Sequence, residues 1–556
     1  MREELNILIG GEAGQGLVTV GDLLTRALVW AGYQVHVTQN YMSRIRGGHN
    51  TYSVRTGPGP VQGPAPGIDI LVALNAETVD LHQEELNPGA LVLKDQEDGP
   101  GDSKTVVIPF KDLAGSALYE NVVGLGVISA LIGLDREMPA GCIRSAFESK
   151  KPEVVDANLQ VLDKAYSFAG ETGISGYELS GATQDPGLML SGTDGLVLGA
   201  LAAGVRFCSY YPMTPSTGIS MGLNSYSRDM NLVVEQAEDE IAAINMAIGA
   251  SYAGGRAMVA TSGGGFALMT EGVSLAGMTE TPIVAIVGQR PGPATGLPTR
   301  TEQGDLNLVL HAGHGEFPRA ILAPADPEQC FALIPKAFDL AEKSQGPVFV
   351  LSDQYLADSY RNANLPDPGN LQPPASPGDT WEGPEEYQRY SLTPSGVSPR
   401  LVPTLGSYLV VAGSDEHTPD GHITEDLQMR TAMVEKRLKK AHVLEQEIVP
   451  PEYTGPENPQ DLLVCWGSSR GPVLEAREIL GREKTAVLHF SQVWPLDKEH
   501  FQGYINRAQR VVFVESNATA QFADLITKRS APREQAFVHR YDGLPLDGKY
   551  IADNIP

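Results

Sequence analysis

Short apolar runs recur along this chain, each closed by a glycine-, serine- or threonine-rich turn and followed by helical periodicity. Between residues 205 and 351 such runs fall at 205–211, 232–235, 257–261, 283–288, 320–323 and 347–351. Helical patterning separates them, clear at Ile241, Ile244 and Ile248 and again from Phe266 to Met278. A strand that must pass through a helix before the next strand returns parallel to its neighbour. The middle of the chain therefore predicts a doubly wound parallel sheet with ligands at the carboxyl ends of its strands.

The first part of the chain alternates in the same way. ELNILIGG reads as a strand, GEAGQG as a tight turn and 17–30 as a helix, the layout of a phosphate-binding loop. Gly11, Gly14 and Gly16 run G-x-x-G-x-G, however, and no acidic residue after the next strand is placed to hold a ribose. A nicotinamide site is disfavoured on both counts. YQVHVTQN, the tail of SRIRGGHNTYSVRTG, IDILVALNAET, GALVLKD and KTVVIPF supply further strands. Arg44, Arg46 and His49 form a cationic cluster, either a solvated turn or an anion contact.

The organisation that follows is three α/β domains. Residues 1–175 form the first, 176–194 a linker, 195–363 the parallel-sheet domain, 364–402 a Pro/Gly-rich linker crossing a surface in extended form, and 403–556 the third domain. Strands in the last are expected at 407–412, 462–466, 486–490 and 511–515. There SDEHTPDGHITEDLQMR leads into the charged stretch TAMVEKRLKKAHVLEQE. Its histidines and carboxylates are metal-ligand types whose spacing fits no closed site, so a solvated loop and an exposed helix are expected.

A formal net charge of -27 argues against nucleic acid and anionic membrane as partners, because both repel it. No apolar run approaches the roughly 18–20 residues that span a bilayer. The opening MREELNILIGG has an acidic pair where a signal peptide needs basic residues, so a cytoplasmic location is expected. Cys142, Cys208, Cys330 and Cys465 lie far apart with no C-x-x-C pair. They are expected to be buried small hydrophobes, not disulfide partners or ligands of a metal or iron–sulfur cluster on this chain.

Chemistry concentrates in the middle domain. In SYYPMTPST two prolines bracket Met213 and Thr214, fixing their own φ and extending the residue before each, so Thr214 is presented on a stiff strand-to-helix step. In EQAEDEIAAINMAIGA, Glu235, Glu238, Asp239 and Glu240 stand at a helix start, where carboxylates are ordinarily favourable. Glu240 sits against the apolar face and is the one expected to be partly buried, where it can share a proton with a heterocycle nitrogen. VATSGGGFALMTEG places glycines, Gly264 and Gly265 among them, where backbone can approach a ligand closely. VAIVGQRPGPATGLPTRTEQGD ends a strand in Arg290, suited either to a bidentate carboxylate or to a neighbouring glutamate, before a Pro/Gly loop with Thr295 and Thr299.

YYPMTPST, EQAEDEIAAINMAIGA, TSGGGFALMTEG and GQRPGPATGLPT resemble, in that order, the pyrimidine-binding domain of thiamine-dependent 2-oxoacid:ferredoxin oxidoreductases. GGEAGQGLVT with RIRGGHNTYSVR resembles the gamma domain of the same enzymes, here fused in front, and the tail from about Leu401 resembles their transketolase-C-like domain. The runs GPATGLPT, HAGHGEFPR and GHITED resemble the alpha subunits of the 2-oxoglutarate branch.

The resemblance implies a role for each residue. Glu240 falls where the family's glutamate contacts the aminopyrimidine ring of thiamine diphosphate, with Gly264 and Gly265 beside the cofactor. Thr214 and Arg290 fall where the 2-oxoacid carboxylate binds, with Thr295 and Thr299 lining the same pocket. A second carboxylate, as in 2-oxoglutarate, needs its own cation. Arg46 is the candidate and His49 a lesser one, so Arg46→Ala is expected to raise KM for 2-oxoglutarate more than for pyruvate in steady-state assays. The chain lacks a G-D-G run with a following N-N pair for Mg2+ and the diphosphate, and lacks cysteine ligands for a 4Fe-4S cluster. Both are expected on a separate beta subunit, so this chain alone should be inactive and work in a dimer of alpha–beta pairs. Coenzyme A is the expected co-substrate and ferredoxin the electron acceptor. The rival readings are the same chemistry on pyruvate or branched-chain 2-oxoacids, and a non-catalytic scaffold subunit.

Overall fold

The structure, a computed structural model, describes residues 3–43, 47–99, 104–182, 187–370, 376–378 and 386–556. Two compact units emerge. The first comprises Met1–Leu190 with Asp358–Asn364 and Asp547–Lys549; the second comprises Ser191–Ala357, Leu365–Leu546 and Tyr550–Pro556.

The first unit is built on an eight-stranded mixed sheet. Leu5–Glu12, buried along nearly its whole length, pairs in parallel with Ile68–Ala73 and antiparallel with His49–Gly57. Leu86–Asp95 and Thr105–Ile108 extend the parallel side, and Gln34–Asn40 extends the antiparallel side. The strands expected before residue 110 are all present. Tyr360–Ala363, assigned from sequence to the end of the middle domain, adds to the same sheet antiparallel to Gln34–Asn40. It is pinned there by Asn362, whose Oδ1 accepts from the Val35 N–H at 2.7 Å.

The second unit holds two sheets. In the seven-stranded one the order is Gln492–Trp494, Ala320–Leu322, Pro347–Asp353, Ile283–Gln289, Ala257–Ser262, Phe207–Tyr210, Val233–Gln236. All neighbours are parallel except the first pair, which is antiparallel. The predicted doubly wound sheet is thus observed, with its order reversing between Phe207–Tyr210 and Ala257–Ser262. The five-stranded sheet runs Glu452–Thr454, Thr485–Phe490, Asp461–Trp466, Arg510–Glu515, Gln535–His539. Val259, Phe349, Trp466, Phe490 and Phe522 belong to one continuous buried cluster, so the two sheets share a core.

Four expectations need correction. Residues 407–412 form no strand: Leu409 is exposed, and the strand beside Thr485–Phe490 at the sheet edge is Glu452–Thr454. The linker before 194 ends early, because Ser191 and Asp194 form a capping box that starts the helix Gly192–Ala202. The later linker does not simply cross the surface, since Tyr387, Arg389, Tyr390 and Arg400 are buried. The charged helix is exposed along one face, as expected, but not along the other. It runs Leu427–Lys439, and Lys436 and Arg437 are buried, as is the following Lys440. Lys436 donates to both oxygens of the fully buried Glu280 at 2.7 and 2.8 Å, and Arg437 is bidentate on Glu416. Periodicity marks such a helix as polar, but cannot say that its charges are paired inside.

All four cysteines are buried and free. Among the described residues no helix is long and apolar enough to cross a membrane, and no group of three His, Cys, Asp or Glu is placed to hold a metal ion.

Candidate active site

Three strand ends converge at the point where the parallel sheet reverses its order, the position at which open α/β sheets bind ligands. Phe207–Tyr210 leads through the Thr214–Pro215 turn into the helix Thr217–Ser225. Ala257–Ser262 passes directly into the helix Gly263–Met278, and Ile283–Gln289 ends in Arg290.

Glu240 is the first residue of the helix Glu240–Tyr252, whose N-terminus is capped by Asp239 accepting from the Ala242 N–H at 2.7 Å. Glu235, Glu238 and Asp239 are exposed, whereas Glu240 is 4% exposed. The spacing explains this: Glu240, Ala243, Ile244, Ala247 and Ile248 share the buried face, while Ile241, expected to begin it, is half exposed. Glu240 Oε1 is buried with no hydrogen-bond partner, and so is Ser262 Oγ. A buried oxygen left unpaired is costly and calls for a partner from outside the chain.

The glycines are explained by what surrounds them. A Cβ on Gly265 would lie 2.6 Å from Glu240 Oε1 and closer still to Thr261 Oγ1. A Cβ on Gly263 would strike the carboxylate of Asp305. Gly264 is exposed at the helix start, facing the Ala294 carbonyl of the next loop. Gly288 makes room for Pro215, whose Cγ would be 2.8 Å from a Cβ there.

Arg290 is half-buried and donates from Nη1 to the Thr214 carbonyl at 2.8 Å. It has no ion pair among the described residues, so the alternative of a glutamate salt bridge is not realised. Burial lowers its pKa, with Asp305 opposing. The Thr214 hydroxyl has no partner among the described residues. On the loop after Arg290, Thr295 is exposed and Thr299 half-buried. Gly296 has φ 53°, and a Cβ there would collide with the Pro291 carbonyl.

Asp305 and Gln303 were not foreseen. Gln303 is buried and fastens TEQGD, accepting from Ser516 N–H at 3.1 Å and donating to the Trp466 carbonyl at 3.0 Å. The Asp305 N–H in turn donates to Gln289 Oε1 at 3.1 Å. Burial, with Glu302 adding, pushes the Asp305 carboxyl up from 3.8 to about 6, against a smaller lowering by Arg290. The only sequence signal was its place at the end of the TRTEQGD loop.

A raised carboxyl makes the folded state bind more protons than the unfolded chain between the two pKa values, so stability falls as pH rises from about 4 to 6. Asp305→Asn is expected to flatten that slope. Thermal midpoints measured at pH 4.5 and 6.5 should separate wild type from variant more widely at the higher pH, with the variant gaining.

In the first unit, His49 Nε2 lies 2.8 Å from His82 Nε2, and His82 Nδ1 lies 3.0 Å from Glu85. Burial and the neighbouring His82 lower the His49 pKa, so it is a hydrogen-bonding group more than a source of charge at neutral pH. Its Nδ1 is buried without a partner. Arg44 and Arg46 lie outside the described residues.

Residues 198–436 match the family described as "Pyruvate flavodoxin/ferredoxin oxidoreductase, thiamine diP-bdg", and residues 6–168 match "Pyruvate ferredoxin/flavodoxin oxidoreductase". The alpha subunit of a 2-oxoacid:ferredoxin oxidoreductase from a Sulfolobus species is 32% identical over 98% of this chain and 95% of its own length. The 2-oxoglutarate oxidoreductase subunit KorA of Mycobacterium tuberculosis is 30% identical over 88% of this chain and 81% of its own. A solved structure of 2-oxoglutarate:ferredoxin oxidoreductase from Magnetococcus marinus, with 2-oxoglutarate, coenzyme A and succinyl-CoA bound, matches with a TM-score of 0.92 at 30% identity. That match covers 100% of this chain and 99% of the other. With similarity running through both matched regions and nearly the whole length, the chain belongs to the thiamine-diphosphate-dependent 2-oxoacid:ferredoxin oxidoreductases as a subunit of the alpha type.

Proposed function

We propose that this chain supplies the pyrimidine-binding half of an active site that oxidises 2-oxoglutarate. The reaction joins 2-oxoglutarate to coenzyme A, giving succinyl-CoA, carbon dioxide and a proton, while two oxidised ferredoxins each take up one electron; it runs in either direction. The observation that carries the reading is Glu240 Oε1, buried without a partner under Gly265 at the strand-order reversal. Bound thiamine diphosphate supplies the carbon nucleophile that attacks the oxo group. Glu240 would hold its aminopyrimidine, giving and taking a proton at its buried Oε1. Ser262 Oγ, equally unpartnered, is a second polar contact at the same strand end. Arg290 would take the substrate carboxylate, its Nη1 anchored on the Thr214 carbonyl and the rest of its fork free for a bidentate contact. The Thr214 hydroxyl, Thr295 and Thr299 would complete that wall.

The diphosphate, its Mg2+ and a 4Fe-4S cluster are assigned to a beta subunit, with two alpha–beta pairs forming the assembly and ferredoxin docking as the acceptor. The Mycobacterium relative and the Magnetococcus structure, both named for 2-oxoglutarate, support that substrate. The Sulfolobus relative carries the broader 2-oxoacid name, which keeps pyruvate as the second reading. The deciding experiment is a screen of the purified two-subunit complex across 2-oxoacids with a low-potential dye acceptor. A kcat/KM for 2-oxoglutarate at least tenfold above that for pyruvate is expected, and the reverse order would overturn the assignment.

A further inference from the structure

The HAGHGEFPR run, residues 311–319, leads from the helix Leu306–Leu310 to the strand Ala320–Leu322 in the second unit. His311 and residues 315–319 of it line a cavity of about 490 Å3, a size suited to a small organic ligand, together with Leu438, Leu444, Trp494, Leu525 and Arg529.

Two arginines in this lining have no counterion among the described residues. Arg319 is 8% exposed, donates from Nη1 to the Val309 and Ala312 carbonyls at 3.1 and 2.6 Å, and stacks 4.6 Å from the centre of the Phe317 ring. Its Nε and Nη2 have no hydrogen-bond partner among the described residues. Arg529 donates from Nη1 to the Leu525 carbonyl at 3.0 Å and stacks 4.8 Å from the Trp494 ring. Neither has an ion pair among the described residues. Burial lowers both pKa values, that of Arg319 to about 10, with no carboxylate acting against the shift. Lys528 lines the same cavity, against the exposed carboxylates Glu316 and Glu445, the latter 3.5 Å from His442. In a chain of net charge -27, a buried and a half-buried guanidinium with no ion pair among the described residues leave N–H groups on one largely apolar cavity to which an anion can bind. An arginine stacked on a ring presents its N–H edge in a fixed plane, the geometry that carboxylates, sulfonates and phosphates accept.

We propose that this cavity binds a small organic anion with a flat apolar body. The anionic group sits on the free N–H edges of Arg319 and Arg529, and the body lies against Trp494, Phe317 and the leucines. None of the residues assigned to the thiamine end takes part.

The test titrates the full chain with 8-anilinonaphthalene-1-sulfonate and, in parallel, with N-phenyl-1-naphthylamine, which has the same body without the sulfonate. Wild type should bind the sulfonate saturably at this site, followed by calorimetry and fluorescence. Arg529→Ala should weaken it at least tenfold and leave the uncharged probe within about twofold. Ala441→Trp, which fills the cavity from the neighbouring helix, should remove both. Thermal midpoints establish that each variant is folded, and Arg529→Gln replaces Arg529→Ala should the latter fail to fold. Equal sulfonate binding by wild type, Arg529→Ala and Ala441→Trp, or none by wild type, overturns the proposal. So does an equal loss of both probes in Arg529→Ala.

Discussion

Glu240→Gln, purified in complex with the subunit that completes the site, is expected to keep its fold and lose at least about 100-fold in 2-oxoacid-dependent dye reduction. The magnitude is that of removing a positioned proton donor and acceptor. Glutamine keeps the volume of a side chain that is 4% exposed, so the packing against Ala243 and Ile244 should survive. It does not keep an oxygen that can both bind and release a proton. Thiamine diphosphate affinity, measured by calorimetry, is expected to fall less than kcat, because hydrogen bonding to the ring partly persists. Gly265→Ala provides an independent approach to the same atom. Its Cβ would stand 2.6 Å from Glu240 Oε1, so the carboxylate must move, and activity should fall with Glu240 itself intact. Near-normal turnover in both variants would leave the scaffold reading standing. A loss in Glu240→Gln alone would mean that the helix start yields to the added methyl.

The parallel sheet and the strand ends around it were legible because each rests on local physics. Apolar runs such as 257–261 and 283–288 cannot be placed except as buried strands, and helices between them force parallel pairing. Glu240 was legible because its spacing from Ile244 and Ile248 puts it on the buried face. The same reasoning failed at Ile241, which lies one position round the helix and faces outward. Long-range pairing was not legible. Nothing in YRNA announces a strand laid beside Gln34–Asn40, and nothing in QVW announces that residues 492–494 pair with Ala320–Leu322. Asp305 also escaped notice, because the closeness that makes Gly263 necessary connects residues 42 positions apart. The buried charges misled most. A helix reading TAMVEKRLKK has the composition of a solvated surface, and its partner Glu280 is 156 residues away.

That pairing carries the largest expected effect on stability. Glu280 is fully buried, and its carboxylate takes Lys436 Nζ at 2.7 and 2.8 Å and Lys440 Nζ at 3.1 Å. Arg389 donates to the Glu280 carbonyl at 2.6 Å and to Gln345 Oε1 at 2.9 Å. Lys436 and Lys440 are 2% and 3% exposed, so neither can reach water if the carboxylate is removed. Breaking a buried pair by deleting one partner typically costs about 3–5 kcal/mol, because the other charge stays behind unpaired. Glu280→Ala strands two lysines at once and is expected to lose at least that much, measured from the shift in the unfolding midpoint. The deletion effect should not be additive: in the Glu280→Ala background, Lys440→Met removes one stranded charge and should recover part of the loss, although Lys440→Met alone destabilises. Acid gives the same answer from another direction. Burial alone would raise the Glu280 pKa, but Lys440, Lys436 and Arg389 hold it down to about 2 from an ordinary 4.5. Its stabilisation is therefore complete above about pH 4.5 and fades as pH falls towards 2. The gap in midpoint between wild type and Glu280→Ala should narrow over that range. A gap independent of pH would mean that the carboxylate contributes by shape, not by charge.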